Sequence, residues 1–577
     1  MIRIRAAFES LIGSRAHRLL WADLLGRVFA EDVLTCPCGG RRTVGPNPIP
    51  DGRANPSSLP LPAWHYDSHR YDSHHYDSHR YDSHRYDSHR YDSHRYDSEW
   101  YIVWIMKPSQ LFAREREWAA LSSAFSKRPA GLVIVLGRRR QGKTTLVAAA
   151  AKASGGLYFC AAEQSAEQNL EDFGRALSEW RNDGLPVRFG SWSEALERAG
   201  LVLQGAPLCI DEVGYLIARA PEVPSIVQRL VDGHGTSSAR FILCGSSVSM
   251  LTELTKANQP LRGRATLELV VEPFEYRTAA KFWSVRDPVT ALWLWAVVGG
   301  TPAYRDWCGA APARVRDVPA WVADNVLEPT RPLHREGRVV VLEAEGLADR
   351  GAHLPVLVAI ARGASSRTAI AGAIGRPETA LAPSIDVLCA TGLVRRIPDP
   401  LHGRRASYEL AEPIVRVWHT LVEPVERRLL HVNPRRVVED LIPTLTSRIV
   451  APAYEQVVRD WVEQHASEQT VGGPFTAVGP ARLSGRTGES AQLDIVVVDR
   501  GASGRRTVRA IGEARIRNRK ATMDDLHRLE AVRDRLGQPD AKLVIASAEG
   551  FTRELEQQDR RRRDLELVDA DRLYEGS

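Results

Sequence analysis

The sequence predicts an α/β fold built on a parallel sheet, and three observations carry that prediction. Five consecutive apolar residues, Leu132 to Leu136, are followed by a glycine-bounded turn and an Ala-rich stretch typical of a helix. A second apolar run ends in the carboxylates Asp211 and Glu212, and a third, Arg240 to Ser247, ends in two serines. Such an order is typical of a doubly wound sheet, in which ligands bind at the carboxyl ends of the strands.

Composition restricts the class of protein before any motif is considered. Of the 577 residues, 44% are hydrophobic and 26% are charged, as in globular proteins. The length suggests about four domains, and the formal net charge of +6 permits nucleic-acid binding without requiring it. The longest apolar run, Val289 to Val298, is about half of what crosses a bilayer. We therefore expect no membrane partner and a cytoplasmic location.

The seven cysteines support the same location. Three of them, Cys160, Cys209 and Cys244, lie in or beside apolar, strand-like runs. Cysteines in such runs are typical of buried thiols in a reducing compartment, where disulfides are rare.

Residues 1–105 differ in composition from the rest of the chain. In residues 1–62, the stretch from Leu20 to Phe29 and the Cys36-Pro-Cys38-Gly-Gly that follows resemble the C-terminal end of insertion-element transposases, although the cysteine spacing is one residue shorter. Residues 63–105 contain seven Tyr-Asp-Ser units with interleaved histidines, offer no aliphatic core and predict disorder. This histidine-rich tract could bind metal or nucleic acid. The alternative, which we favour, is a translated tandem repeat without a selected function. We expect the natural start at or near Met106.

The turn after the first strand has the pattern of a phosphate-binding loop, Gly137-x-x-x-x-Gly142-Lys143-Thr144. Backbone N–H groups and the helix N-terminus favour phosphate there, the lysine adds a point charge, and the threonine hydroxyl is offered to Mg²⁺. The predicted nucleotide-binding residues are Gly137, Arg138, Arg139, Arg140, Gln141, Gly142, Lys143, Thr144 and Thr145. A chance glycine turn before a core helix is the alternative, and the strand–turn–helix context disfavours it.

Four further residues are predicted to take part in phosphate chemistry. Asp211 would hold Mg²⁺ through water, and Glu212 would polarise the attacking water, because phosphoryl transfer depends on positioning and charge stabilisation. Ser246 or Ser247, at the end of the third strand, would contact the γ-phosphate or that water. Arg264 is the candidate arginine for sensing γ-phosphate charge, in cis or from a neighbouring subunit.

The order of these motifs resembles the archaeal-type ATPase family, a branch of the AAA-like, signal-transducing P-loop NTPases. The matching segments are Gly137–Thr144, Ile210–Glu212, Cys244–Ser247, Leu261–Arg264, Glu272–Phe274 and Gly299–Tyr304, and Phe112-Ala-Arg-Glu resembles the entry segment near the adenine. The resemblance runs from about Met106 to the C-terminus. It implies an ATPase domain over residues 106–345, with Gly299–Tyr304 in a helical lid.

Residues 346–435 predict a winged helix-turn-helix. The pattern indicates a helix over 353–362, a second over 365–375 that ends at a glycine, and a third from Pro377 to about Ala390. Two strands around residues 399–403 would form the wing, with a basic stripe of Arg395, Arg396, Arg404 and Arg405. This stripe can neutralise phosphates, but the third helix is poor in side chains that read bases. DNA contact and protein packing therefore remain open alternatives.

Residues 440–577 predict a mixed α/β domain similar to restriction-endonuclease-like domains. Glu455, Asp494 and Glu513 resemble the metal-binding carboxylates of that fold and form a possible second metal site. The family pattern has a lysine two residues after the glutamate, whereas this chain has Arg515. Arginine stays charged and cannot activate water as lysine can. Nuclease activity is therefore doubtful.

Taken together, the sequence predicts an ATP-binding protein that hydrolyses ATP with Mg²⁺ as a conformational switch. The alternative is a DNA-binding regulator or DNA-processing protein whose binding to DNA requires nucleotide. Such a protein could also be a metal-dependent nuclease. ATP and Mg²⁺ are the expected ligands. DNA, a protein partner and self-association stay open as partners.

Overall fold

A computed structural model describes residues 107–126, 131–182, 184–185, 187–233, 239–246, 259–344, 350–484, 490–501, 506–516 and 519–577. All of them belong to one compact unit, Asp92–Ser577. The predicted transposase-like segment, the Tyr-Asp-Ser repeat, Cys36, Cys38 and Ser247 lie outside the described residues.

The first sheet is entirely parallel, as predicted. Its order is β2-β3-β4-β1-β5. The strands are β1 (Gly131–Leu136), β2 (Leu157–Cys160), β3 (Pro207–Asp211), β4 (Arg240–Cys244) and β5 (Ala265–Val270). Strand β4 lies between β1 and β3, so the strand that ends in the acidic pair is not the immediate neighbour of the phosphate-loop strand.

Helices cover both faces of this sheet. They are α1 (Glu115–Ser126), α2 (Lys143–Ala153), α3 (Ala166–Arg181), α4 (Trp192–Leu203), α5 (Val213–Arg219) and α6 (Val223–Val231). Along β1, Leu132, Ile134 and Leu136 pack into the core with α3, α4 and α6, whereas Val133 and Val135 pack into the core with α1 and α2. Burial on both faces explains why β1 reads as an unbroken apolar run.

The edge strand β2 corrects one expectation about the cysteines. Cys209 and Cys244, on the inner strands, are buried as predicted, but Cys160 is exposed. Along β2, which lies at the edge of the sheet, buried and more accessible side chains alternate because successive side chains of a strand point to opposite faces, and Cys160 is on the more accessible face.

A helical segment follows the sheet. It comprises α7 (Tyr276–Trp283), α8 (Pro288–Val298), α9 (Ala303–Cys308), α10 (Val318–Val322), a π-helical turn (Ala323–Leu327) and α11 (Pro332–Glu343). The most apolar stretch of the sequence forms α8, which is buried almost all round. No helix among the described residues is long and apolar enough to span a membrane.

Residues 350–410 form a helix–hairpin module. Its helices are α12 (Arg350–Ala361), α13 (Arg367–Ile374) and α14 (Ala382–Ala390), and its antiparallel strands are β6 (Val394–Pro398) and β7 (Ala406–Leu410). The expected third helix is interrupted, because its first turn, Glu378–Leu381, is a 3-10 helix. Pro383 lacks an N–H group and is tolerated best in the first turn of a helix, and it lies in the first turn of α14, which begins at Ala382.

A helical connector leads to the last module. It consists of α15 (Pro413–Val417), α16 (Glu426–Leu429), α17 (Pro434–Thr444), α18 (Ala451–Gln464) and α19 (Glu468–Val471), with π-helical turns at Trp418–Val422 and Leu445–Val450. Gly337 of α11 allows close contact with α15, because a Cβ there would lie 2.4 Å from the carbonyl oxygen of Ile414.

The C-terminal module contains a mixed five-stranded sheet, as predicted. Its order is β12-β11-β10-β9-β8. The elements are β8 (Ala477–Ser484), β9 (Ser490–Arg500), β10 (Arg506–Arg515), α20 (Met523–Leu536), β11 (Lys542–Ser547), α21 (Arg553–Arg561), β12 (Leu565–Val568) and α22 (Ala570–Glu575). One face packs under α20 and α21, and the other joins a core shared with α7, α8, α17 and α18.

Candidate nucleotide-binding site

The turn between β1 and α2 depends on two glycines. Gly137 has φ 147°, and a Cβ there would lie 2.6 Å from the carbonyl oxygen of Val271. Gly142 has φ 84° and is the N-cap of α2, with open space where a Cβ would be. Both conformations favour glycine, so the turn can wrap around a ligand at the N-terminus of α2.

Lys143 lies beneath this turn. Its side chain is 4% exposed, and its Nζ donates to the carbonyl oxygen of Arg138 at 2.8 Å. Burial lowers the pKa of Lys143, while the nearby carboxylates Glu212 and Asp211 act against that shift. Thr144 and Thr145, the next two residues, are exposed at the start of α2. The loop therefore presents an enclosed ammonium group beside accessible hydroxyl groups.

Asp211 is held at the carboxyl end of β3. It is 1% exposed, accepts a hydrogen bond from the Tyr158 hydroxyl at 3.0 Å, and accepts another from the Glu212 backbone N–H at 2.9 Å. Burial, together with the nearby Asp211 carboxylate, raises the pKa of the Tyr158 hydroxyl far above its usual range, so the hydroxyl stays protonated. The hydroxyl therefore serves as a donor that orients this carboxylate.

Glu212 and Ser246 meet at the same edge of the sheet. The Ser246 hydroxyl donates to Glu212 Oε2 at 2.9 Å. Glu212 has φ 47°, a left-handed conformation that is uncommon for a residue other than glycine, at the N-cap of α5. This turn directs its carboxylate toward the end of β4. The structure thus brings Lys143, Asp211, Glu212 and Ser246 together.

The structure does not bring Arg264 to this edge. The next residue, Ala265, pairs with Leu132 at the beginning of β1, so Arg264 lies at the opposite end of the sheet from the phosphate loop. Its guanidinium pairs with Asp232 at 2.8 Å. A role for Arg264 in cis was therefore a wrong expectation, and only a role from a neighbouring subunit remains a prediction.

Gln141 and Arg114 fix the loop from behind. Gln141 is 3% exposed, and its Oε1 accepts from the Arg138 backbone N–H at 3.2 Å. The buried guanidinium of Arg114 donates to the Gln141 carbonyl oxygen and to that of Glu272, each at 2.9 Å, and stacks over Phe274 at 4.6 Å. The segment that begins at Phe112 thus contains a residue that supports the phosphate loop.

The three arginines of the loop make contacts that the sequence did not indicate. Each reaches a carboxylate beyond residue 330: Arg138 pairs with Glu412, Arg139 with Glu343 at 2.9 Å, and Arg140 with Glu336. Arg139 also donates to the Tyr215 hydroxyl at 2.6 Å. Because the acidic partners are 196 and 274 residues away for Arg140 and Arg138, no local pattern could have revealed them.

The predicted carboxylates of the C-terminal module come close to one another. Asp494 is 9% exposed and accepts from the Ala514 backbone N–H at 3.1 Å. Burial and the neighbouring carboxylates raise the pKa of Asp494 and of Glu455. Glu513 is instead held by the guanidinium of Arg515, whose Nε lies 3.0 Å from its Oε2.

These side chains do not make the second metal site that the sequence suggested. Among the described residues, no group of three or more His, Cys, Asp or Glu side chains is arranged to hold a metal ion. Arg515 forms an ion pair with Oε2 of Glu513, and the guanidinium of Arg528 lies 3.9 Å from the same oxygen. Arginine at the family's lysine position thus changes the partner of the glutamate, not only the acid–base chemistry.

The first site defines a class of protein. A glycine turn, a buried lysine at a helix N-terminus and two acids at the end of a parallel strand are the parts of a P-loop nucleotide site. Residues 111–304 match the family model of the ATPase domain predominantly from Archaea. The chain therefore contains an archaeal-type ATPase domain.

A curated relative is similar to about a third of this chain. An uncharacterized protein of Methanocaldococcus jannaschii is 28% identical over 193 residues, which is 33% of this chain and 42% of that protein. The chain therefore spans less than half the length of the curated relative that it matches.

Solved structures with similarity include the ORC2 protein of Aeropyrum pernix in its ADPNP–ADP complexes. Its TM-score is 0.39 at 17% identity, over 60% of this chain and 98% of that one. The RuvB Holliday junction branch migration motor of Thermotoga maritima has a TM-score of 0.28 at 15% identity, over 51% and 94%.

Proposed function

We propose that this chain binds ATP with Mg²⁺, hydrolyses it, and uses the nucleotide as a conformational switch. The observation that carries the proposal is the convergence of Lys143, Asp211, Glu212 and Ser246 at one edge of the parallel sheet, beside the N-terminus of α2. Each of these groups has a role in phosphoryl transfer, which depends on positioning and electrostatic stabilisation.

The oxygen donors at this edge fit Mg²⁺. Thr144 offers an exposed hydroxyl, and Asp211 offers a carboxylate whose orientation is fixed by Tyr158. Mg²⁺ prefers hard oxygen ligands, keeps several waters and usually binds through one or two protein groups plus substrate phosphates. When bound, the ion would neutralise charge on the phosphate oxygens. Thr144 and Asp211 are the residues that would hold it.

Glu212 is the proposed group that accepts a hydrogen bond from the attacking water and polarises it. Ser246 is the residue that positions the Glu212 carboxylate. The Ser246 hydroxyl donates a hydrogen bond to Glu212 and so restrains the orientation of its carboxylate. The sequence alone suggested instead a direct contact of this serine with the γ-phosphate or the water. Ser246 then acts through Glu212.

We further propose that the helix–hairpin module is a winged helix and that the C-terminal module has a nuclease-like fold without that fold's metal chemistry. Helix α13 has Ser366 as its N-cap and Gly375 in the left-handed conformation after its last residue, and the β6–β7 hairpin follows α14. Helix α11 and Glu412 contact the phosphate loop directly. The Gly392 carbonyl oxygen of the helix–hairpin module also accepts a hydrogen bond from Arg138. Nucleotide binding at the loop can therefore be transmitted to α11, to the helix–hairpin module and to the segment that follows β7.

Replacing Glu212 by glutamine tests the hydrolytic part of the proposal. Glu212→Gln keeps the shape of the side chain but removes its charge, so ATP should still bind while the hydrolysis rate falls by about 100-fold or more. Phosphate release from a chain starting at Met106 would be measured with Mg²⁺. Glu268→Gln, an exposed position on β5, is the matched control and should keep the wild-type rate. An equal rate for Glu212→Gln and wild type would contradict the assignment.

A second candidate function is DNA binding that nucleotide licenses. The observation in its favour is that Arg396, Arg404 and Arg405 of the β6–β7 hairpin are exposed, whereas Arg395 is partly buried near Asp460. Exposed arginines on a hairpin can neutralise phosphates without reading sequence. Three such residues, rather than the predicted four, are therefore accessible to DNA.

A mobility-shift assay separates this candidate from a switch that acts on protein alone. The double substitution Arg404→Ala and Arg405→Ala should reduce DNA retention and decrease the salt slope by about two if both contact phosphates. Binding would be measured with and without ATP at two salt concentrations, with Arg482→Ala, an exposed arginine of β8, as control. If neither the hairpin substitutions nor the addition of nucleotide altered DNA retention, this candidate function would be excluded.

A further inference from the structure

The phosphate loop is in contact with acidic residues from distant parts of the chain. Arg138 pairs with Glu412, which follows β7, and Arg140 pairs with Glu336 of α11. The side chains of Glu412 and Glu336 are 2% and 3% exposed, so these anions are removed from solvent. Arg139 and Glu343 form a third pair, but its members are 40% and 29% exposed. Two of the three ion pairs are therefore enclosed.

Residues of the segment Gly299–Tyr304 and its neighbours hold the enclosed carboxylates in place. The Thr301 hydroxyl donates to Glu412 at 3.4 Å, and the Tyr304 hydroxyl donates to Glu336 at 3.1 Å. The guanidinium of Arg140 lies over the ring of Trp307 at 4.7 Å, and Arg138 also donates to the Gly392 carbonyl oxygen at 3.3 Å. The contacts thus form a built interface rather than a chance approach of surface side chains.

The same arginines belong to the loop that a triphosphate would occupy. Carboxylate and phosphate oxygens are both strong acceptors for guanidinium, and phosphate carries more charge. An arginine that turns toward phosphate leaves its carboxylate buried without a counter-ion. Because an uncompensated buried charge is strongly unfavourable, the carboxylate must then either take up a proton or become solvated, and solvation requires α11 or the hairpin module to move.

We propose that Arg138 and Arg140 form a two-position latch. Glu412 and Glu336 hold these arginines when no nucleotide is bound, and the phosphates of ATP take them when it binds, which releases the helix–hairpin module and α11 from the loop. This inference rests on the proposed function, since it requires ATP at the phosphate loop, and it names how that site is regulated. It assigns the acidic residues as competitors of nucleotide rather than as ligands.

Removal of the competing charge tests the latch. Glu412→Gln and Glu336→Gln should each bind a fluorescent, non-hydrolysable ATP analogue about five- to tenfold more tightly than the wild type. Glu343→Gln is the matched control on α11, and because its ion pair is partly exposed, its loss should change the dissociation constant by less than about twofold. Unchanged or weaker binding by both enclosed variants would overturn the latch.

Hydrogen exchange of the wild-type protein gives a second measurement that needs no variant to fold. Addition of the analogue should accelerate amide exchange in residues 332–343 and 392–417. A protein that binds the analogue with no change in these segments would contradict the latch and leave the proposed function standing. A protein that does not bind the analogue at all would remove both.

Discussion

Glu455 shows how the environment of one side chain alters its chemistry. It lies on α18, where burial and the carboxylate of Asp494 raise its pKa to about 7. Arg459 of the same helix donates to Glu409 at 2.7 Å and to the Asp494 carbonyl oxygen at 3.3 Å, so the cluster joins the hairpin to the C-terminal sheet. The charged form of Glu455 is therefore unfavourable in the folded protein.

This shift predicts a pH-dependent effect of Glu455→Gln. Between pH 4.5 and about 7 the folded protein keeps a proton that the unfolded chain has lost, so the contribution of this group to stability falls as pH rises through that window. Glutamine does not titrate. The variant should therefore melt close to the wild type near pH 4.5 and be more stable above pH 7, by at most about 3 kcal/mol.

Thermal unfolding at pH 5, 6, 7 and 8 would measure this difference. Glu463→Gln, an exposed position on the same helix, is the control and should melt like the wild type at every pH. A difference between Glu455→Gln and wild type that does not grow with pH would refute the prediction.

At the scale of single residues, the sequence predicted what is encoded locally. The roles expected for Lys143 and Asp211 depend on a turn and a strand end, and the structure places both at one edge of the sheet. Tyr158 is 53 residues from Asp211, and Glu412 is 274 from Arg138, so their contacts depend on tertiary packing that no short pattern reports. The prediction that Arg264 acts in cis was wrong because its motif does not indicate at which end of the sheet the residue lies.

The phosphate loop is the element in which backbone conformation and function are most closely joined. Gly137→Ala would place a Cβ 2.6 Å from the Val271 carbonyl oxygen at φ 147°. We expect about tenfold or greater loss of nucleotide affinity, because strain of the order of 1–3 kcal/mol would displace the turn. Equilibrium binding of labelled ATP would measure this loss.

Gly372→Ala is the matched control for this prediction. Gly372 lies in the exposed part of α13, and a Cβ there would meet nothing within 4 Å. Alanine is favoured over glycine within a helix by about 1 kcal/mol, so this variant should bind nucleotide normally and be no less stable. If Gly137→Ala bound ATP as well as Gly372→Ala, the proposed geometry of the turn would be incorrect.

Elements whose limits are marked by caps and turns were predicted well. Helix α13, with its serine N-cap and glycine C-cap, and the strands β6 and β7 agree with the expected segments. The expected third helix differed because Pro383 set a new start that the apolar pattern alone did not show. The π-helical turns, such as Ala323–Leu327, have neither a side-chain cap nor a glycine that would mark them in the sequence.

At the scale of the whole molecule, one hydrophobic core contains residues from several of the predicted domains. Buried residues from α8, from the connector helix α18 and from strands β9 to β12 belong to one hydrophobic cluster. Sequence periodicity shows that each element has an apolar face, but not which faces meet. The shared core and the arginine contacts at the loop are the physical connections through which the proposed switch would act on distant parts of the chain.

Retention of labelled nucleotide is the most direct test of ATP binding by this phosphate loop. A chain starting at Met106 should retain labelled ATP in the presence of Mg²⁺. The same chain carrying Lys143→Ala should lose at least about tenfold in affinity, because the enclosed ammonium group would no longer meet the phosphates. Failure of the wild type to retain nucleotide, or equal retention by Lys143→Ala, would contradict the account.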